Sequence, residues 1–141
     1  MNMQRIFLQF IRELALECHK NNIVLSTDNY KPEAYNKFYN LKEQSSYVDY
    51  VVVMAYDEHY AGSEAGSVAS LPFVREAVSD TIDMVPSKQV IVGIPFFTRI
   101  WSISGQTTTS RAVGMQAAID ELNADGKLTP WNEDAGQYVS S

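Results

Sequence analysis

Apolar positions come in two rhythms along this chain, and the change between them predicts its elements. Phe7, Phe10, Ile11, Leu14 and Cys18 recur at three- and four-residue spacing, with Arg5, Arg12, Glu13 and Glu17 elsewhere on the wheel. This spacing predicts an amphipathic helix that ends at Asn21-Asn22. Ile23 to Thr27 reads as a short strand closed by Asp28-Asn29-Tyr30. Pro32 opens an irregular or partly helical connection through Tyr35, Phe38 and Tyr39 to about Gln44. The central strand runs from Val48 to Tyr56, where the apolar run Val51-Val52-Val53-Met54-Ala55 stops at Tyr56-Asp57-Glu58-His59. A β-branched run of this kind is expected in a parallel sheet, buried on both faces.

Ser70 is placed to cap a helix from Leu71 to about Met84, with Val74, Ala77, Val78 and Ile82 on its apolar face, and Pro86 stops it. Gln89 to Ile94 reads as a third buried strand, with Pro95-Phe96-Phe97-Thr98-Arg99-Ile100-Trp101 at its end. Alternating helices and strands predict an α/β fold with parallel strands and right-handed crossovers. After Trp101 the pattern changes. Ser102 to Ser110 reads as a polar loop, Gly114 to Ala124 as a helix with Met115, Ala118, Ile119 and Leu122 on one face, and Leu128 to Val139 as a hairpin about Asn132-Glu133-Asp134-Ala135-Gly136. This tail is a small α+β appendage.

Composition removes several function classes. The 141 residues carry a formal net charge of -6, with no cluster of Lys or Arg, so a nucleic-acid partner is not expected. No window approaches the ~18 apolar residues of a membrane span. Phe7 to Leu16 is interrupted by Arg12 and Glu13 and is no signal-peptide core. The lone Cys18 has no disulfide partner and no ligand set for a metal; it reads as a small buried hydrophobe. The loop Ala61 to Ser67 has neither a GxGxxG pattern nor a Walker lysine, and no cofactor is expected. His19, late in the first helix, suits the negative end of its dipole. Trp131 is expected to pack the appendage against the main α/β body.

Three expected strand ends therefore carry polar or aromatic clusters: Asp28-Asn29-Tyr30, Tyr56-Asp57-Glu58-His59, and Arg99 with Trp101. Parallel neighbours would bring these ends to one rim, where parallel α/β folds do their chemistry. Carboxylates, tyrosines, an arginine and a tryptophan suit a sugar, with polar groups for its hydroxyls and a flat face for its ring. Phosphoryl chemistry would want more cations, and zinc chemistry more His and Cys.

The segments Val53-Met54-Ala55-Tyr56-Asp57-Glu58-His59 and Gly93-Ile94-Pro95-Phe96-Phe97-Thr98-Arg99-Ile100-Trp101 resemble the sixth and seventh strands of family-18 glycoside hydrolases, the chitinase-like (β/α)8 barrels. Within that family the chain resembles the bacterial cell-wall and spore-cortex branch, in which Tyr-Asp-Glu-His precedes a loop like Gly62 to Ser70. The resemblance implies a partial (β/α)8 TIM barrel at 1-101, covering about strands five to seven, and an incomplete α+β insertion at 102-141.

It further implies a glycosidase acting on β-1,4-linked N-acetylglucosamine polymers, whether chitin, chito-oligosaccharide or peptidoglycan. Hydrolysis is substrate-assisted and retaining: the sugar's own N-acetyl oxygen attacks the anomeric carbon. Tyr56 would hydrogen-bond the acetamido carbonyl, and Asp57 would bind sugar hydroxyls and the catalytic carboxyl network. Met54 would pack beneath the reacting sugar, Arg99 would bind at the rim, and Trp101 would offer a stacking face. Asn29 and Tyr30 would line the cleft or form a turn; Glu58 and His59 would meet substrate or shape their loop.

The family's general acid lies in an Asp-x-x-Asp-x-Asp-x-Glu type motif on the fourth strand, and these 141 residues contain no such motif. It would fall just before Met1, and a full barrel needs about 250 residues. Two other readings stand beside this one: a sugar-binding module that does not cleave, and a flavodoxin-like domain with an unrelated ligand. The parent protein is expected to be secreted or associated with the cell envelope or spore. Barrel strands with open edges are expected to drive self-association.

Overall fold

The computed structural model describes residues 2–126 and 130–139, so Leu128 and the last residues of the expected appendage lie outside the described residues. The chain divides into two compact units, Met1–Met54 with Glu76–Gly93, and Ala55–Arg75 with Ile94–Ser141.

In the first unit, helix α1 (Met3–Lys20) is capped by the Asn2 side chain, which accepts the Gln4 N–H at 3.0 Å. Its buried stripe is Leu8, Ile11, Ala15 and Cys18. Phe10 and Leu14, expected on that stripe, are exposed instead. His19, in the last turn of α1, also lies 3.5 Å from the Asp49 carboxylate.

Strand β1 (Ser26–Tyr30) begins three residues later than the apolar pattern predicts. Ile23 and Val24 stay exposed, and the Asp49 carboxylate accepts the Leu25 N–H at 2.8 Å, which fixes where pairing starts. A 3-10 turn (Ala34–Tyr39) and short helix α2 (Leu41–Gln44) meet at Asn40, whose φ of +48° supplies the bend between them. Strand β2 (Tyr50–Met54) pairs in parallel with β1, from Ser26↔Tyr50 to Tyr30↔Met54. Strand β3 (Val90–Gly93) pairs in parallel on the other side, giving the order β1-β2-β3.

Alternation along β2 sends Val51 and Val53 to the helical side, where both are fully buried. Ile11, Leu41, Val48, Val51 and Val85 form the core, with Phe7, Leu25, Tyr47, Met84 and Val90 against it. Val52 and Met54, on the opposite side, are only half-buried, so within this unit the strand is not covered on both faces as its apolar run predicts. A fully buried Gln44 is satisfied inside this core: its Nε2 donates to Asn29 Oδ1 at 3.0 Å and to the Tyr39 carbonyl at 2.8 Å.

Helix α3 (Leu71–Ile82) follows a long loop, and Ser70 Oγ accepts the Phe73 N–H at 3.3 Å, the cap read from the sequence. Further along α3, Glu76 lies 3.2 Å from the Lys31 ammonium, which also meets Glu33 at 2.7 Å.

In the second unit, β4 (Phe97–Ser104) and β5 (Thr107–Gly114) form an antiparallel hairpin, from Phe97↔Gly114 to Ser104↔Thr107. Gly105 turns it with φ +60°. The polar loop expected at Ser102 to Ser110 is therefore the end of this hairpin. Its alternating Ser and Thr residues carry no hydrophobic signal, yet the β-branched Thr107, Thr108 and Thr109 suit a solvated ribbon. The expected boundary at residue 101 falls inside β4.

Helix α4 (Met115–Asp125) ends at Gly126, and a small hairpin of β6 (Trp131–Asn132) and β7 (Gln137–Tyr138) follows. Its turn is closed by the Ala135 N–H on Asn132 Oδ1 at 2.8 Å, and Trp131 packs edge-on against Tyr138 at 5.2 Å.

Candidate functional site

In the second unit the chain runs from buried Ala55 to Tyr56, whose half-buried ring meets Phe97 edge-on, with centroids 6.3 Å apart. Asp57 is exposed and adopts φ +60°. That left-handed conformation costs an L-residue about 1 kcal/mol, less for Asp than for most, and persists where neighbouring bonds hold it.

Those bonds are on either side. Glu58 accepts the Ser70 N–H at 2.7 Å and the Ser70 hydroxyl at 3.0 Å, one donor to each carboxylate oxygen. The Glu58 N–H donates to the Val68 carbonyl at 2.9 Å. His59 sends its own N–H to the Ser67 carbonyl at 3.1 Å, and its Nδ1 lies 2.8 Å from the same oxygen, which makes Nδ1 the protonated nitrogen. Gly66 lies against the His59 ring, in a space a Cβ would fill.

Residues two apart on a strand share a face, so Phe97, Arg99 and Trp101 project from one side of β4. Trp101 Nε1 donates to the Gly66 carbonyl at 3.0 Å, joining this hairpin to the loop. Arg99 Nη1 donates to Ser110 Oγ across the hairpin at 3.1 Å. Its Nε is buried without a hydrogen-bond partner among the described residues. A buried donor left unsatisfied costs about 1–3 kcal/mol, so an acceptor brought to it is favoured.

Through these contacts the structure brings Tyr56, Glu58, His59, Arg99 and Trp101 into one assembly with Asp57 at its exposed edge. Arg99 and Trp101 are interior to β4 rather than at a strand end. In the first unit, Met54 is half-buried at the end of β2, beside the exposed Tyr30 of β1. Asn29 and Tyr30 both line a pocket of the first unit, together with Pro32, Tyr39, Leu41 and Met84, although their side chains leave the strand on opposite sides. Asn29 is 5% exposed and held by Gln44.

Gly66, Ser70, Phe97 and Ser110 were not singled out as site residues from the sequence, though Ser70 was recognisable as a cap. Among the described residues no group of three or more His, Cys, Asp or Glu side chains could hold a metal, and no helix is long and apolar enough to cross a membrane.

A three-stranded parallel sheet with a helical layer makes this an α/β fold, and the solved structures it superposes on make that fold of the (β/α)8-barrel type. The family described as Glycosyl hydrolases family 18 matches residues 3–140, and the chain belongs to that family.

The chain is 42% identical over 74 residues to YdhD of Bacillus subtilis strain 168, named for a sporulation-specific glycosylase; this covers 52% of the chain and 18% of YdhD. The crystal structure of YdhD superposes with a TM-score of 0.86 at 28% identity, over 94% of this chain and 46% of that one. The Cortical fragment-lytic enzyme of the same organism is 24% identical over 127 residues, 82% of this chain and 30% of the enzyme. A chitinase from Chromobacterium violaceum shares the fold, with a TM-score of 0.84 at 19% identity, over 94% of this chain and 43% of that one. The chain thus spans less than half the length of the relatives it matches.

Proposed function

We propose that this chain forms the sugar-gripping part of a spore-associated glycoside hydrolase that acts on β-1,4-linked N-acetylglucosamine polymers, the glycan of peptidoglycan or chitin. One observation carries this reading: Tyr56, Arg99 and Trp101 are assembled about Phe97 and Gly66, with the Asp57 carboxylate exposed beside them.

Each group has a chemical task in substrate-assisted cleavage. The Tyr56 hydroxyl donates to the acetamido carbonyl and fixes the oxygen that attacks the anomeric carbon. Asp57 accepts from sugar hydroxyls. Arg99, half-buried on β4, meets substrate through its guanidinium at the rim. With its indole N–H held by Gly66, Trp101 keeps its ring for stacking. His59 shapes the loop, since its Nδ1 is engaged with Ser67.

The reading gives the proton-donating role to no residue of this chain, so binding without turnover is expected from these 141 residues alone. The test is titration of the chain with N-acetylchitotetraose, followed by tryptophan fluorescence, alongside hydrolysis of a chromogenic chitobioside. Saturable binding weakened about tenfold by Tyr56→Phe and by Asp57→Asn is the expected result, each change removing a hydrogen bond to the ligand. Wild-type and variant curves that coincide would remove these residues from the site.

A further inference from the structure

We propose that Glu58 is a positioning residue: by clamping Ser70 it holds Asp57 in its left-handed conformation and so aims the Tyr56-Asp57 pair at the sugar. This deepens the function proposed above and rests on it for the identity of the ligand. The Glu58 side chain is half-buried, and both its oxygens are already engaged by Ser70, so it is not free for substrate.

Its partner sits at the first turn of α3, where the helix dipole favours a negative charge and strengthens the hydrogen bonds to it. Ser70 Oγ donates to Glu58 while accepting the Phe73 N–H, so one hydroxyl joins the helix cap to the loop. The Glu58 N–H on Val68 and the His59 N–H on Ser67 close the loop next to that clamp. Asp57 is the residue immediately before this closure, with Tyr56 anchored on Phe97 on its other side. A left-handed residue other than glycine keeps its conformation where both flanks are fixed. Removing the Glu58 carboxylate frees one flank and leaves Tyr56 anchored.

The experiment uses the 141-residue chain and two readouts, the amide and Asp57 Cα and Cβ chemical shifts, which report φ, and the affinity for N-acetylchitotetraose. Glu58→Ala is expected to move the Tyr56 and Asp57 resonances and weaken binding about tenfold. Glu58→Gln retains an acceptor for the Ser70 N–H and is expected to restore both, the affinity to within about threefold. Lys31→Met, which loosens the first unit instead, is expected to leave both readouts unchanged.

Should Glu58→Ala not fold, Ser70→Ala removes the hydroxyl arm of the clamp and is expected to move the same resonances to a smaller extent. Asp57 resonances that stay in place in the clamp variants overturn the proposal, as does failure of Glu58→Gln to restore them. If the wild-type chain does not bind the tetraose, the sugar reading fails, and the resonances alone decide whether Glu58 positions Asp57.

Discussion

The two compact units of this chain are held together by different physics. The first is organised by burial. Val51 and Val53 are fully buried, Val51 in one cluster with Ile11 of α1 and Leu41 of α2, and the polar groups taken inside with them are satisfied in pairs, Gln44 with Asn29 above all. In the second unit the fully or nearly buried apolar side chains among the described residues are Ala55, Val68 and Val113. Order there comes from directed bonds: Glu58 to Ser70, His59 to Ser67, Trp101 to Gly66 and Arg99 to Ser110. Burial is non-directional and sets stability, whereas directed bonds can hold a strained residue such as Asp57 and a buried unsatisfied donor such as Arg99 Nε. The candidate chemistry collects in the second unit for that reason.

Breaking the first unit should have the largest effect on stability. Val53→Ala removes two methyl groups from a site with no exposed surface and leaves a cavity on the buried side of β2. A loss of about 2–3 kcal/mol is expected, read as a lower denaturation midpoint with an unchanged slope. A loss below about 1 kcal/mol would mean that the surrounding side chains collapse into the space, and the contrast with the second unit would weaken.

What the sequence disclosed follows the same division. The alternation of helices and strands and the parallel sheet are legible because burial writes an apolar pattern along β2; β3, expected as a third buried strand, pairs as expected but leaves Ile91 and Val92 exposed. Strand β1 was misplaced, since its one buried position is Asn29, a polar residue whose partner Gln44 is fifteen residues away. The part of the β4-β5 hairpin from Ser102 to Ser110 reads as a loop because its Ser and Thr residues carry no apolar alternation. At the site, Tyr56, Asp57, Arg99 and Trp101 were picked out by chemistry and resemblance. The tie from Glu58 to Ser70 was not, because a directed bond between residues twelve apart leaves no periodic trace. Nor does sequence reveal the left-handed φ of Asp57, which depends on that closure.

An intermediate effect is expected where charge is buried in the first unit. The Lys31 side chain is 10% exposed and meets Glu33 and Glu76. Burial by itself lowers its ammonium pKa, but the hydrogen bonds and negative charges of the two glutamates outweigh this and raise it above 10.5. Both partners are largely in solvent, which screens the pairs, so Lys31→Met is expected to cost about 1 kcal/mol at neutral pH. A raised lysine pKa stabilises the folded state fully below the unfolded value and loses that contribution as pH rises through the folded one. The gap between wild type and Lys31→Met in thermal unfolding should therefore stay constant to about pH 10 and close above it. A gap that narrows on acidification toward neutrality instead would assign the stabilisation to other groups.

The smallest change in stability, and the most telling for the comparison, is expected from Asp57→Gly. Glycine accepts φ +60° without strain, although it makes the unfolded chain more flexible. The two effects nearly cancel, leaving the unfolding free energy unchanged or raised by about 0.5 kcal/mol. The same substitution deletes the exposed carboxylate, so binding of N-acetylchitotetraose should be lost even though the fold is no weaker. Stability and binding moving in opposite directions at one residue would mean that Asp57 is kept for its chemistry against the preference of its backbone. A variant that is clearly less stable would show instead that the carboxylate contributes to the fold, and the second unit would then depend on Asp57 as the first depends on Val53.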